Sequence, residues 1–194
     1  MHAAVGFRIK SGWAASALVG GSFDRPSLLD LRRVELSDPA VPDSRQPFHA
    51  ALVAHTHADR RTAARLIHIV ERFARTSLDD LFADWATGRT VTGAGLVVGS
   101  QVDPATIAND HIRAHAEEGR LFRTVVADAA ARAGLTVSVR IERTLHEEAA
   151  RALGRSPERL KKDLVELGRH HEGPWRADEK HAALAAWLAL AGSG

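Results

Sequence analysis

The sequence predicts an α/β fold: a five-stranded mixed sheet, three antiparallel N-terminal strands followed by a βαβα alternation, with flanking helices. Three observations lead there. Residues 3–36 are apolar runs broken at short intervals by turn residues, as strands joined by tight connections are. From 48 to 85 the apolar spacing changes to three and four residues, the period of a helix. Two later runs, 93–100 and 135–141, return to strand character on either side of an alanine-rich helical stretch.

The first two strands come from 3–19, AAVGFRIKSGWAASALV, in which Val5, Phe7 and Ile9 alternate as on a half-buried strand and Lys10-Ser11-Gly12 supplies the turn. Gly20-Gly21-Ser22 and Asp24-Arg25-Pro26 turn the chain into a third strand at 27–36. Residues 37–47 hold Pro39, Pro42 and Pro47 and read as a loop, because proline lacks the donor that a ladder or helix interior needs. The next stretch carries Phe48, Leu52, Leu66, Ile67, Val70, Phe73, Leu78, Leu81, Phe82 and Trp85 at helical spacing. Ser77 with Asp80 has the spacing of a cap, so this stretch is two helices or one with a break. The apolar run 93–100 lies between glycines, as a strand buried on both faces does, and is expected to run parallel to the first. Asp103-Pro104 opens a polar loop. Residues 110–133 form a helix with Ile112, Leu121, Phe122, Val125 and Ala129 on its apolar face, ended by Gly134. The alternation in 135–141 makes the fifth strand. Thr144 and Glu147 have capping-box spacing and open a helix that ends near Gly154, and Ser156-Pro157 opens another carrying Leu160, Leu164 and Leu167. After a loop at 169–174, the alanine-dense stretch 176–190 is a last helix whose small face suits close packing on a sheet.

At 194 residues the expectation is a single domain, 1–194, burying roughly 70% of the surface its unfolded chain exposes. Lys and Arg number 26 against 24 acidic residues, a mildly basic balance that does not by itself argue for nucleic acid. Cysteine is absent, which excludes disulfides and thiolate chemistry and fits a reducing compartment. The run 13–19 is short and follows strand-like residues, so it is not read as a signal peptide, and a cytoplasmic location is expected. No run approaches the roughly 20 apolar residues of a membrane span.

The element order resembles the ribonuclease H-like fold used by Holliday-junction resolvases, over most of the chain as an order and in two short places as residues. The first is VGFRIKSGWA, at 5–14, similar to that family's opening strand, where a glycine, an apolar residue and a catalytic aspartate precede a small-residue turn. The second is ADEKHAALAAWLAL, at 177–190, similar to the acidic start of the alanine-rich last helix. The resemblance implies two-metal phosphodiester chemistry, with carboxylates from the first strand, the fourth strand and the last helix. In this sequence the first-strand position falls on Arg8, and the fourth strand ends in Gly99-Ser100 with no glutamate. Asp178 and His181, three apart, stand where the family places a carboxylate or histidine pair. What the resemblance then implies is a catalytically degenerate scaffold that binds a phosphate-bearing ligand or nucleic acid without a metal cofactor. Arg8 and Lys10 would contact the anion, Ser11 would donate a hydrogen bond, Asp178 would orient Arg8, and His181 would stand beside them. A resemblance to uncharacterised bacterial proteins implies no function.

Read as residues alone, a turn carrying Arg8, Lys10 and Ser11 is either an anion site at the end of a sheet or an ordinary solvated turn. Two other function classes stand beside the binding reading. One is a divergent metal-dependent nuclease or phosphotransferase using Asp103, Asp178, His181 and His111; the other is a protein–protein interaction module with a basic helix face. His111, His115 and Glu118, at i, i+4 and i+7, are a set of metal ligands, a polar working face or a solvated helix side. His55-Thr56-His57-Ala58-Asp59 resembles the H-x-H-x-D start of metallo-β-lactamase-like hydrolases but departs from it at Arg60. Nucleophile elbows and Walker-type loops are absent. Trp175, after Gly173-Pro174, is the tryptophan expected to be exposed enough to stack a base, with Trp13, Trp85 and Trp187 in the core and His170-His171 in solvent.

Overall fold

Turn chemistry sets the first three strands. In the computed structural model, which describes residues 1–53 and 59–192, β1 (His2–Lys10) and β2 (Trp13–Gly21) are joined through Ser11 and Gly12. Gly12 has φ +83°, a conformation that side-chain-bearing residues resist. β3 (Pro26–Glu35) follows antiparallel to β2. β4 (Thr90–Val98) and β5 (Thr136–Ile141) complete one sheet of order β3-β2-β1-β4-β5, with β4 parallel to β1 and β5 parallel to β4.

Six helices flank the sheet among the described residues: α1 (Pro47–Val53), α2 (Asp59–Ala86), α3 (Asp110–Arg132), α4 (Glu142–Ala152), α5 (Pro157–Leu167) and α6 (Ala177–Ala191). Several boundaries differ from the sequence expectation, each for a local reason. Pro42 opens a short 3-10 turn and Pro47 opens α1, because the first helical position needs no N–H donor. Ser77 lies inside α2, since Leu66, Val70, Ala74, Leu78, Leu81 and Trp85 form an unbroken buried stripe through it. α4 starts at Glu142, directly off β5; Thr144 lies within it and donates its hydroxyl to Glu148 Oε1 at 2.6 Å. Ile112 is 55% exposed, because it sits two residues, roughly 200°, around the helix from buried Ala114.

The sheet has a core on each face. On one, Val5, Phe7 and Ile9 meet α2 and α3, with Phe7 edge-on to Phe82 at 5.9 Å. On the other, Ala4, Ala15, Ala17 and Val97 meet α4, α5 and α6. β1 is thus buried on both faces rather than one, because its second face is made of Ala4 and Gly6. Small residues there bring α6 down onto the strands. A Cβ on Gly6 would lie 1.9 Å from the Ala182 carbonyl oxygen, and one on Gly95 2.3 Å from that of Ala185. Trp85 and Trp187 are core residues whose indole N–H groups donate to Asp30 Oδ2 and to the Phe23 carbonyl, each at 2.9 Å. No helix among the described residues is long and apolar enough to cross a membrane.

This contact makes a prediction with two signs. Gly6→Ala should lower the unfolding free energy by about 3 kcal/mol, since the overlap is with backbone that cannot rotate away. Gly119→Ala, in the open middle of α3, should raise it by about 0.8 kcal/mol. Urea denaturation reads both, and a neutral Gly6→Ala would mean that α6 does not rest on the sheet.

Candidate functional site

β1, β4 and β5 are parallel, so their C-terminal ends share one edge of the sheet, where loops and helix starts gather functional groups. Arg8 pairs in register with Val97, and Val97 with Arg140, which puts Arg8 one strand in from the β4–β5 pair. Alternation along β1 turns Arg8 to the α6 face, two residues after Gly6. Glu142 is the first residue past β5 and opens α4. Asp178 lies in the first turn of α6, where the Arg176 N–H donates to Glu179 Oε2 at 2.9 Å and the helix N-terminus favours acidic side chains.

These elements meet around the Arg8 guanidinium, which is only 4% exposed. Its Nη1 donates to the Ile9 carbonyl at 2.8 Å, its Nη2 pairs with Glu142 Oε2, and its Nε lies 3.6 Å from Asp178 Oδ1. Lys10 Nζ approaches the same Asp178 oxygen at 3.1 Å. His181 Nδ1 stands 3.4 Å from Glu142 Oε1, with the His146 ring 5.4 Å from its own. Burial pushes the His181 imidazole below its ordinary value, helped by His146 and Arg8 and opposed by Glu142 and Asp178. Burial also lowers His146, with Lys161 and Lys180 adding to it.

Outside this cluster, a cleft of about 270 Å³ opens between the ends of β1 and β4 and the side of α3. Arg8, Lys10, Arg120 and Arg123 line it together with Ser11 and Ser100, and no carboxylate does. Arg120 pairs with Glu117, whereas Arg123 makes no ion pair among the described residues. A larger cleft, of about 610 Å³, lies along β3 and α5. Its cations are largely neutralised, with Arg155 2.9 Å and Arg159 2.8 Å from Asp163, and it contains none of the residues around Arg8.

Of the residues singled out from sequence, Arg8, Lys10, Asp178 and His181 converge, and Ser11 lines the adjoining cleft. Asp103 does not join them: it is exposed and accepts the Ala105 N–H at 3.1 Å, capping the 3-10 turn Pro104–Thr106. His111 and His115 belong to a separate cluster whose third imidazole is His49. Glu118, expected beside them on a helix face, is fully buried and turned onto His49, 2.8 Å from its Nδ1. Trp175 is half-buried rather than exposed, packed over Gly168 and donating to the Leu164 carbonyl at 3.1 Å. His170 and His171 line the larger cleft, and the His171 ring lies 6.4 Å from that of Trp175. The motif at 55–59 lies outside the described residues, apart from the backbone of Asp59. Sequence reasoning missed Glu142, His146 and His49. For Glu142 a signal existed, a carboxylate directly past the end of a parallel strand; for His49, in a region read by its apolar stripe, there was none.

Among the described residues, two side-chain groups bring their donor atoms within 4.8 Å of one another: Glu142, Asp178 and His181, and His49, His111 and His115. The expectation that no cofactor is involved therefore finds no support in these donor sets. No protein-family model matches the chain, and no curated protein matches it. Among solved structures it is similar to Thermus thermophilus RuvC, at 12% identity and a TM-score of 0.56 over 96% of this chain and 92% of that one. It is equally similar to T. thermophilus RuvC in complex with a Holliday junction substrate, at 12% identity and a TM-score of 0.57 over 97% of this chain and 92% of that one. The likeness establishes the fold, which is ribonuclease H-like, with three antiparallel strands leading a mixed five-stranded sheet.

The depressed histidines give a pH dependence whose sign is fixed. Above about pH 6.5 both are neutral in the folded and unfolded chain alike; below it the unfolded chain takes up protons that the folded one resists, so stability falls with pH. Each histidine contributes at most about 1.4 kcal/mol per pH unit to that slope. Thermal or urea unfolding between pH 7.5 and roughly 5 should show the decline, and His146→Gln with His181→Gln should flatten it. An unchanged slope in the double variant would mean that these imidazoles titrate normally.

Proposed function

We propose that this protein binds nucleic acid, or a ligand presenting the same phosphate chemistry, at the end of the sheet, on a scaffold that does not use the divalent-metal catalysis of a nuclease. The observation that carries the reading is a cleft whose lining includes Arg8, Lys10, Arg120 and Arg123 and no carboxylate; the first three pair with carboxylates outside the lining, and Arg123 has no ion pair among the described residues. A concave surface of one charge sign concentrates counter-ions, and guanidinium groups suit phosphate oxygens by geometry as well as charge. Gly119, exposed in the middle of α3, adds support: a helix-interior glycine costs stability, and here it keeps the cleft wall bare beside Arg120 and Arg123.

The carboxylates face the other way. Glu142 and Asp178 carry two negative charges, and Arg8 and Lys10, both in contact with them, carry two positive ones. A divalent cation at Glu142, Asp178 and His181 would sit against a buried guanidinium, so these residues do not fit a metal pair while Arg8 is in place. In this reading Asp178 positions Lys10 and Arg8, and Ser11 and Ser100 add hydrogen bonds at the rim. The RuvC neighbour solved with a Holliday junction favours nucleic acid over a small phosphate as the ligand. The spacing of Glu142, Asp178 and His181 favours a second reading, a divergent nuclease, which would require Arg8 to leave its partners.

Fluorescence anisotropy with a labelled four-way DNA junction and a duplex tests the proposal. Affinity should fall steeply between about 50 and 200 mM salt through counterion release. Lys10→Ala and Arg123→Ala should each weaken binding to every sequence alike and reduce the salt slope by about 1. Undetectable binding at the lowest salt would overturn the reading in favour of an interaction module. Mg²⁺-dependent cleavage lost in Asp178→Asn would overturn it in favour of the nuclease.

A further inference from the structure

α1 has seven residues, too few to be stable as a helix alone, and its His49 is gripped by α3. His111 and His115 stand one turn apart on α3, and the three imidazoles are mutual neighbours. Ring centroids are 4.7 Å apart for His49 and His111, 4.2 Å for His49 and His115, and 4.7 Å for His111 and His115. One ring nitrogen of each lies within 4.8 Å of the others.

Glu118 determines what His49 can offer. The fully buried carboxylate accepts both the His49 backbone N–H, at 3.2 Å, and its Nδ1–H, at 2.8 Å. A carboxylate that accepts at Nδ1 places the proton there, which in the neutral imidazole leaves the lone pair on Nε2. That Nε2 is buried and has no hydrogen-bond partner among the described residues. A carboxylate behind one nitrogen of an imidazole whose other nitrogen is free is the arrangement that orients histidines on metals.

We propose that His49, His111 and His115 bind one divalent transition cation of the zinc class, with Glu118 as the positioning residue, and that the ion fastens α1 to α3. Imidazole donors select such ions over Mg²⁺ and Ca²⁺. Metal–nitrogen bonds of about 2.0–2.1 Å require nitrogens roughly 3.3 Å apart, so the exposed rings of His111 and His115 would turn inward on binding. Their exposure leaves a path for entry and a coordination position open to water, on the side of α3 where His115 also lines the cationic cleft. The site shares no ligand with the Arg8 cluster, and it adjoins the proposed nucleic-acid cleft through His115.

Untagged full-length protein, titrated with Zn²⁺ in the calorimeter and with Co²⁺ in the visible spectrum, tests this. The account expects one ion per chain at micromolar affinity or tighter, a Co²⁺ absorption band, and a melting temperature raised by Zn²⁺. The double variant His111→Ala/His115→Ala alters exposed side chains, so it should fold and lose all three signals. Glu118→Gln should weaken Zn²⁺ by roughly 10–100-fold, and Asp178→Asn should change nothing. Absence of Zn²⁺ binding to folded wild type, binding that survives the double variant, or binding abolished by Asp178→Asn would each overturn the proposal.

Discussion

A guanidinium taken out of water must be neutralised where it stands, and the Arg8 side chain imposes that requirement on three parts of the fold at once. Glu142 answers from the junction of β5 and α4, Asp178 from the first turn of α6, and the Ile9 carbonyl from β1 itself. Removing a partner costs less here than in a fully buried pair, because Glu142 and Asp178 are partly exposed and Arg8 keeps the other carboxylate. The ion pairs still do more than decorate the sheet edge. They fix where the last helix begins relative to the first strand.

That geometry depends in turn on the absence of side chains a few residues away. Gly6 and Gly95 admit the α6 backbone directly onto β1 and β4, and the alanines of α6 complete the contact. With the helix this close, Asp178 and His181 reach the strand end; a larger residue at 6 would lift α6 away. Packing and chemistry are coupled through one glycine. The carboxylates turn inward to Arg8 and Lys10, and Arg123 lines the cleft with no ion pair among the described residues.

The order of elements could be read from the chain because local signals agreed with the global arrangement: Gly12 in its turn, Gly134 and Gly154 at helix ends, Ser156-Pro157 at a helix start. Reading failed where tertiary contacts overrode a local pattern. Ser77 has cap spacing but sits in a helix held straight by its buried stripe, and Thr144 follows a helix start set by Glu142 emerging from β5. The site was half visible for a related reason. Arg8, Lys10, Asp178 and His181 lie in stretches that resemble known ones, whereas Glu142 enters through the fifth strand's end. The union of His49 with Glu118 spans 69 residues, and no periodicity reports such a separation.

In the proposed reading, Arg8 supplies the charge that a divalent cation would otherwise bring to Glu142 and Asp178. Calorimetric titration of Mn²⁺ into Arg8→Asp and into the Arg8 parent tests it most directly, both in the His111→Ala/His115→Ala background so that the histidine cluster is silent. The parent should bind no Mn²⁺, and folded Arg8→Asp should gain a weak oxygen-ligand site together with a higher melting temperature. Mn²⁺ binding by the parent that disappears in Asp178→Asn would contradict it.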